Sequence, residues 1–154
     1  MTRISESIQI GAAPTEVFRF CHDLKRRPEW DERVDRIELQ GFSNVLRNGA
    51  LVRVDSHAAR GLPYSWEGEY TQFRSPRGST VRIMETARVS NLNPGGSEEW
   101  QFEPAEGGTC FTIIWTYEPR GLLGRMLDPL GRRAANRRAI RHSLQRAKAQ
   151  IEAR

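Results

Sequence analysis

Only two cysteines, Cys21 and Cys110, occur in 154 residues. They form neither a disulfide framework nor a zinc spacing, so the expectation is two reduced, partly buried thiols in a cytoplasmic protein. The three histidines, His22, His57 and His142, fall on different predicted elements without His-x-x-x-His spacing, and no metal is expected. Walker and Gly-x-Gly-x-x-Gly patterns are missing, so no nucleotide cofactor is expected either. A Gly-x-Ser-x-Gly elbow is missing too, and hydrolase chemistry of that kind has no support. Apolar runs stay far below the ~20 residues that cross a bilayer, so no integral membrane segment is expected. The opening MTRISESIQI lacks the apolar segment of a secretory signal. Repeats, low-complexity tracts and linkers are lacking as well. The reading is one domain over residues 1–154, large enough to bury a core without staples.

What the chain does have is charge, placed unevenly. Residues 120–154 carry ten Lys/Arg against two acids, whereas the preceding stretch carries 14 basic and 17 acidic residues. The basic stretch is also the most helical one. From Gly121 to Arg154, Leu123, Met126, Leu127, Leu130, Ala134, Ile140, Leu144, Ala147 and Ile151 recur at steps of three or four, with a gap near Arg137. That spacing predicts one long amphipathic helix, which Pro129 starts or kinks. Pro129 to Arg154 would span roughly 40 Å at ~1.5 Å per residue. Arginines crowd its other faces. Such a face suits an acidic partner, an anionic membrane or nucleic acid. Without aromatic residues to stack on bases, nucleic acid is the weakest of these. The plainer reading is a solvated face whose arginine stems cover apolar surface.

Ahead of the helix, the pattern is mostly of period two. Ile4, Ile8 and Ile10 alternate with polar residues as a half-buried strand. Pro14, in a first helical position with Glu16 behind it, opens a short helix to about Leu24. A second short helix runs from Pro28 to near Val34. Six strands follow, over Asp35–Gly41, Ala50–His57, Tyr64–Phe73, Thr80–Ala87, Glu98–Glu103 and Thr109–Glu118, joined by short turns such as Glu106-Gly107-Gly108. Consecutive strands with short turns imply an antiparallel sheet. The fold class is therefore α+β: a curved seven-stranded antiparallel sheet wrapped around a long C-terminal helix, with two short helices after the first strand. Its inner face would carry Tyr64, Trp66, Tyr70, Trp100, Phe102, Trp115 and Tyr117, and with them Ile83 and Ile113. Aromatic walls with a few polar tips suit a ligand pocket and also a packed core.

Three stretches carry a resemblance that covers nearly the whole chain. IQIGAAPTEVFRFCHDLKRRPEW (residues 8–30) runs a strand into an Ala-Pro helix start and a short helix with Pro28 and Trp30. EPAEGGTCFTIIWTYEP (103–119) is a hairpin, and GRMLDPLGRR (124–133) leads into the last helix. In this order they resemble the START-like helix-grip superfamily (SRPBCC), and within it the polyketide cyclase/dehydrase branch. The resemblance implies a cavity between the sheet and the long helix, suited to a small hydrophobic ligand. It also places Trp30 and the loop Arg60–Pro63 at the cavity mouth, and Met126 and Leu130 opposite the sheet.

Catalytic candidates are few. Alternation turns Glu85 inward beside Ile83, where a buried carboxylate could abstract a proton next to a carbonyl. Tyr64 and Tyr117 could donate protons to the developing enolate. Asp55 and His57 share a strand face and could pair, though that face reads as solvated. The expectation is a binding or transport protein for a lipid- or polyketide-like molecule, monomeric or homodimeric. An aromatase/cyclase performing aldol closure or dehydration in the same cavity is the alternative. A third possibility is an interaction module that uses the basic helix.

Overall fold

The alternating isoleucines near the start become β1 (Thr2–Ile10), with Ile4 and Ile10 buried. The computed structural model describes residues 1–41, 44–57, 63–84, 96–119 and 121–154. Glu85 and residues 60–62 of the expected mouth loop lie outside the described residues. Pro14 opens α1 (Pro14–Cys21), which buries Val17, Phe18, Phe20 and Cys21. The helix ends earlier than its apolar spacing suggests. His22 Nδ1 lies 2.9 Å from the Phe18 carbonyl, and the backbone N–H of His22 donates to the same oxygen. α2 (Arg27–Trp30) is a single turn, shorter than expected. Asp31 leaves it in an extended conformation and its carboxylate accepts the backbone N–H of Arg33, an Asx turn that competes with continued helix.

The remaining strands are β2 (Arg36–Leu39), β3 (Leu51–His57), β4 (Pro63–Arg74), β5 (Gly78–Ile83), β6 (Gly96–Ala105) and β7 (Gly108–Tyr117). All pair antiparallel, in the order β1-β7-β6-β5-β4-β3-β2, as one open seven-stranded sheet. A register shift between Tyr70 and Gln72 on β4 marks a bulge, the usual means of bending a strand. Gly107, at φ +78°, supplies the left-handed residue that the tight β6–β7 turn requires.

The C-terminal helical path is divided in three: α3 (Gly121–Leu127), a π turn (Asp128–Arg132) and α4 (Arg133–Glu152). Gly131 leaves helical geometry inside the π turn, two residues after Pro129, and the path kinks there. α4 packs against β1, α1 and α2. Its buried residues, Ile140, Leu144, Ala147 and Ile151, meet Ile4, Phe18, Trp100, Phe102, Phe111 and Ile113 in the main core. A second cluster of Val34, Ile37, Val52, Val54 and Tyr70 covers the β2–β4 side. Over that side the first half of α4 offers no large apolar side chain, and a space remains.

Candidate functional site

The space is a cavity of about 900 Å³. Ser56, Tyr64, Trp66, Ile83 and Trp115 line it from the sheet, and Gly131, Ala135, Asn136 and Ala139 from the helix. Ala135 and Ala139, four residues apart, put small residues on one face of α4, and Gly131 precedes them in the π turn. The neighbouring row, which begins at Asn136, turns large at Ile140 and Leu144. One helix therefore closes the core at one end and leaves room at the other.

The inner end of the cavity is ionic. Arg27, Arg33 and Glu98 line it, with Asp31 wholly buried behind them. Arg27 Nε donates to Asp31 Oδ2 at 2.8 Å. Arg33 Nε and Nη2 donate to the two Asp31 oxygens at 2.9 and 3.0 Å, and Arg33 Nη1 donates to Glu98. The Trp100 indole N–H donates to Glu98 Oε2 at 3.1 Å, and an Arg27 nitrogen lies 3.5 Å from the same oxygen. The Arg27 guanidinium also sits 4.3 Å from the centroid of the Trp100 ring. Two guanidiniums and two carboxylates thus balance in charge, the condition for burying such groups at all. Burial alone would raise the Asp31 pKa, but Arg33 and Arg27 outweigh it and hold the carboxyl far below the usual range. Burial likewise works against the charged form of Arg33, and Asp31 and Glu98 overcome it, pushing the guanidinium above its ordinary range.

Tyr64 is half-buried on the sheet wall, and burial raises its pKa despite a hydrogen bond with Ser56. Its phenol is therefore protonated at neutral pH. The more exposed residues around the cavity include His57 and Arg138. His57 pairs with Asp35 at 2.9 Å, just before β2, rather than with Asp55, which accepts from Ser65 at 2.6 Å. Among the described residues, no group of three or more His, Cys, Asp or Glu converges as a metal-ligand set.

Of the residues singled out from sequence, Tyr64, Trp66, Ile83 and Trp115 line the cavity together. Trp30 is fully buried against Trp100, with ring centroids 5.4 Å apart, so it sits in the core rather than at a mouth. Tyr70, Trp100, Phe102 and Ile113 are buried in the two cores behind the cavity wall. Tyr117 is buried at the end of β7, where its hydroxyl donates to Asp128 in the π turn. Burial, the Asp128 hydrogen bond and the Asp128 charge push its pKa up to about 12. That contact holds the helix in place and is away from the cavity lining. Met126 and Leu130 do not face the sheet: they are 56% and 77% exposed. Asp128, between them in sequence, takes the inward position instead. The reading of sequence missed Arg27, Arg33 and Glu98. Glu98 did carry a signal, being two residues before Trp100 and so on the same face. Nothing local linked it to Arg27 and Arg33, which lie more than sixty residues earlier in the chain.

Residues 1–152 match the family described as "Polyketide cyclase / dehydrase and lipid transport". No curated protein matches the sequence. Among solved structures, TTHA0849 from Thermus thermophilus is similar with a TM-score of 0.78 at 17% identity, covering 99% of this chain and 98% of that one. The di-domain ARO/CYC BexL from the BE-7585A biosynthetic pathway is similar at 0.75 and 19% identity, covering 99% of this chain and 50% of BexL. Ara h 8.0201 is similar at 0.68 and 12% identity, with 99% of each chain covered. At these identities the likeness is one of fold. The match over residues 1–152, on a seven-stranded antiparallel sheet with a long C-terminal helix, places the chain in the polyketide cyclase/dehydrase and lipid transport family.

Proposed function

We propose that the cavity binds a small, mainly hydrophobic molecule of the aromatic, polyketide-like or lipid-like kind, with an oxygen-bearing group directed at the ionic end. The observation that carries this reading is the cavity itself: about 900 Å³, with Tyr64, Trp66, Ile83 and Trp115 along the sheet, and with Gly131, Ala135 and Ala139 leaving room on the helix side between Arg132, Asn136, Arg138 and Arg146. Pockets for small organic ligands span roughly 300–1,000 Å³ with mostly apolar walls and a few fixed polar groups. Each ~100 Å² of apolar ligand surface buried against Trp66, Ile83 and Trp115 would contribute about 2.5 kcal/mol. Arg33 uses three of its N–H donors on Asp31 and Glu98. A guanidinium carries five, so a ligand carbonyl or phenol oxygen would meet donors whose positions are already set. The family description and the ARO/CYC activity named for BexL are consistent with such a ligand.

The test is release of bound small molecules by mild denaturation and their identification by mass spectrometry. Titration of the recovered compound would be followed by fluorescence of Trp66 and Trp115. Ala135→Phe would fill the cavity from the helix side and should abolish binding with the fold intact. An empty extract, or a recovered compound that binds equally well after Ala135→Phe, refutes the reading.

Tyr64 supports a second reading, aldol closure or dehydration of a bound carbonyl compound. Its protonated phenol on the cavity wall could donate to a developing enolate oxygen. Turnover that falls with Tyr64→Phe while binding is retained would favour catalysis. Binding without turnover would favour the carrier.

A further inference from the structure

α3 is mounted the wrong way round for a surface helix. Such a helix normally buries its apolar stripe and turns its polar face to water. Here the buried positions are Gly124 and Asp128. Leu122, Leu123, Met126, Leu127 and Leu130 are exposed by 78%, 64%, 56%, 40% and 77%. They recur at steps of three and four and form one contiguous stripe in solvent. The inversion is held by specific bonds. Asp128 accepts from Tyr117 and, at 3.0 Å, from Thr2, while Arg133 lies 3.5 Å away. Five large apolar side chains left together in water make the kind of contiguous patch that marks a docking surface.

The charge around the stripe selects the cover. From Gly121 to Arg141 the only acid is Asp128, and it is buried, whereas six arginines occur in the same span. Arg137 and Arg141 pair with Glu6. Arg125, within α3, and Arg138 are exposed and make no ion pair among the described residues. We infer that α3 and the π turn dock on an anionic lipid surface, the leucines and Met126 entering the headgroup–acyl boundary and the arginines meeting lipid phosphates and carboxylates. A second copy of the chain fits less well, because a two-fold contact through this stripe would set Arg125 near its own counterpart. The next residues, Gly131 and Arg132, line the cavity, so docking would bring the cavity to the lipid surface. The inference does not depend on what the cavity holds.

The test is co-sedimentation of the full chain with vesicles of phosphatidylcholine alone, or of phosphatidylcholine with phosphatidylserine. Binding is expected to the mixed vesicles, weaker to phosphatidylcholine, and reduced by salt. Leu123→Ser with Leu130→Ser should abolish it without altering the thermal melt, since both side chains are already in water. Arg125→Gln should weaken partition about five-fold. Ala135→Phe, which fills the cavity, should leave vesicle binding unchanged, so loss of ligand binding and loss of docking are separable. No binding to mixed vesicles overturns the inference. Vesicle binding that survives the double substitution does so too, and so does a concentration-dependent dimer that the double substitution dissolves.

Discussion

His22 is buried beside Phe18, Phe73 and Trp100, with ring centroids 4.0, 5.1 and 5.0 Å away. Its Nδ1 lies 2.9 Å from the Phe18 carbonyl and its Nε2 lies 2.7 Å from the Ser79 hydroxyl. A carbonyl can only accept, so the proton sits on Nδ1, and Nε2 accepts from Ser79. Burial pushes the pKa from 6.5 down to about 3, against the opposing effect of the Phe18 hydrogen bond. Because the folded pKa lies below the unfolded one, the unfolded chain binds the proton first as pH falls. Stability therefore rises with pH across the window from about 3 to 6.5, by up to ~1.4 kcal/mol per pH unit. Between pH 7 and 4.5 the loss amounts to about 2.5 kcal/mol, because the folded ring stays neutral over that whole range. The carboxylates Glu6 and Asp31, whose pKa values are lowered, act mainly below their ordinary 4.5 and 3.8. The assay is urea unfolding at half-unit steps of pH. His22→Phe with Ser79→Ala keeps a ring in the slot and orphans no polar partner, so its unfolding midpoint should be nearly flat over the same range. A wild-type midpoint that does not move between pH 7 and 4.5 refutes the reasoning, as does a double variant that falls as steeply.

Asp31→Asn would leave Arg27 and Arg33 with only Glu98 between them and should cost about 3–5 kcal/mol in urea unfolding at pH 7. The wild type should lose the same stabilisation as pH falls below 3.8, through the depressed pKa of Asp31. A loss under about 1 kcal/mol on substitution would contradict the burial of this cluster. Tyr117→Phe removes a buried donor from Asp128 and should destabilise by about 1–3 kcal/mol. Amide exchange should quicken in α3 more than in α4, and equal protection in both would show that the bond does not hold the inverted helix. At Gly96, φ is +102° and an added Cβ would lie 1.9 Å from the Thr116 carbonyl oxygen, so Gly96→Ala should disrupt the start of the β6–β7 pairing. Gly49→Ala, with φ +85° but open space around it, should cost only about 1–2 kcal/mol. Similar melting temperatures for the two variants would mean that the close approach at Gly96 is absent in solution.

The architecture was legible because period-two runs and short turns need no distant information. Val52 and Val54, Tyr64 to Tyr70, and Phe111 to Tyr117 each declare their inward face from alternation alone. The short helices announced themselves through Pro14 and Pro28, although their ends depended on His22 and Asp31, side chains that bond their own backbone. The rotation of α3 was not legible. Leu123, Met126 and Leu130 lead into Ala134 at the same steps of three and four as the rest of the apolar stripe, and the contact of Asp128 with Tyr117 and Thr2 sets which side faces in. The gap in the stripe near Arg137 was visible, and its meaning lies in space: it is where Ala135, Asn136 and Ala139 leave the cavity unfilled. The ionic end followed a similar logic. Charged residues default to solvent in any reading by hydropathy, and Arg27, Arg33 and Glu98 come together only once β6 is laid beside the turn after α2.

The strand order has a consequence for how the chain is made. β1 and β2 are neighbours in sequence yet occupy opposite edges of the sheet, and among the described residues β1 pairs with β7 alone. Ile10 finds its partner Thr109 only after almost a hundred intervening residues have been synthesised. At roughly 5–20 residues per second, β1 waits about 5–20 s on the ribosome with its ladder groups unpaired. The β3–β6 meander can form in that interval from sequential hairpins. Closing β1 onto β7 is then the slow, long-range step, and it completes the binding site last: the same event seats Thr2 on Asp128 and sets the lead-in to α4 against the sheet.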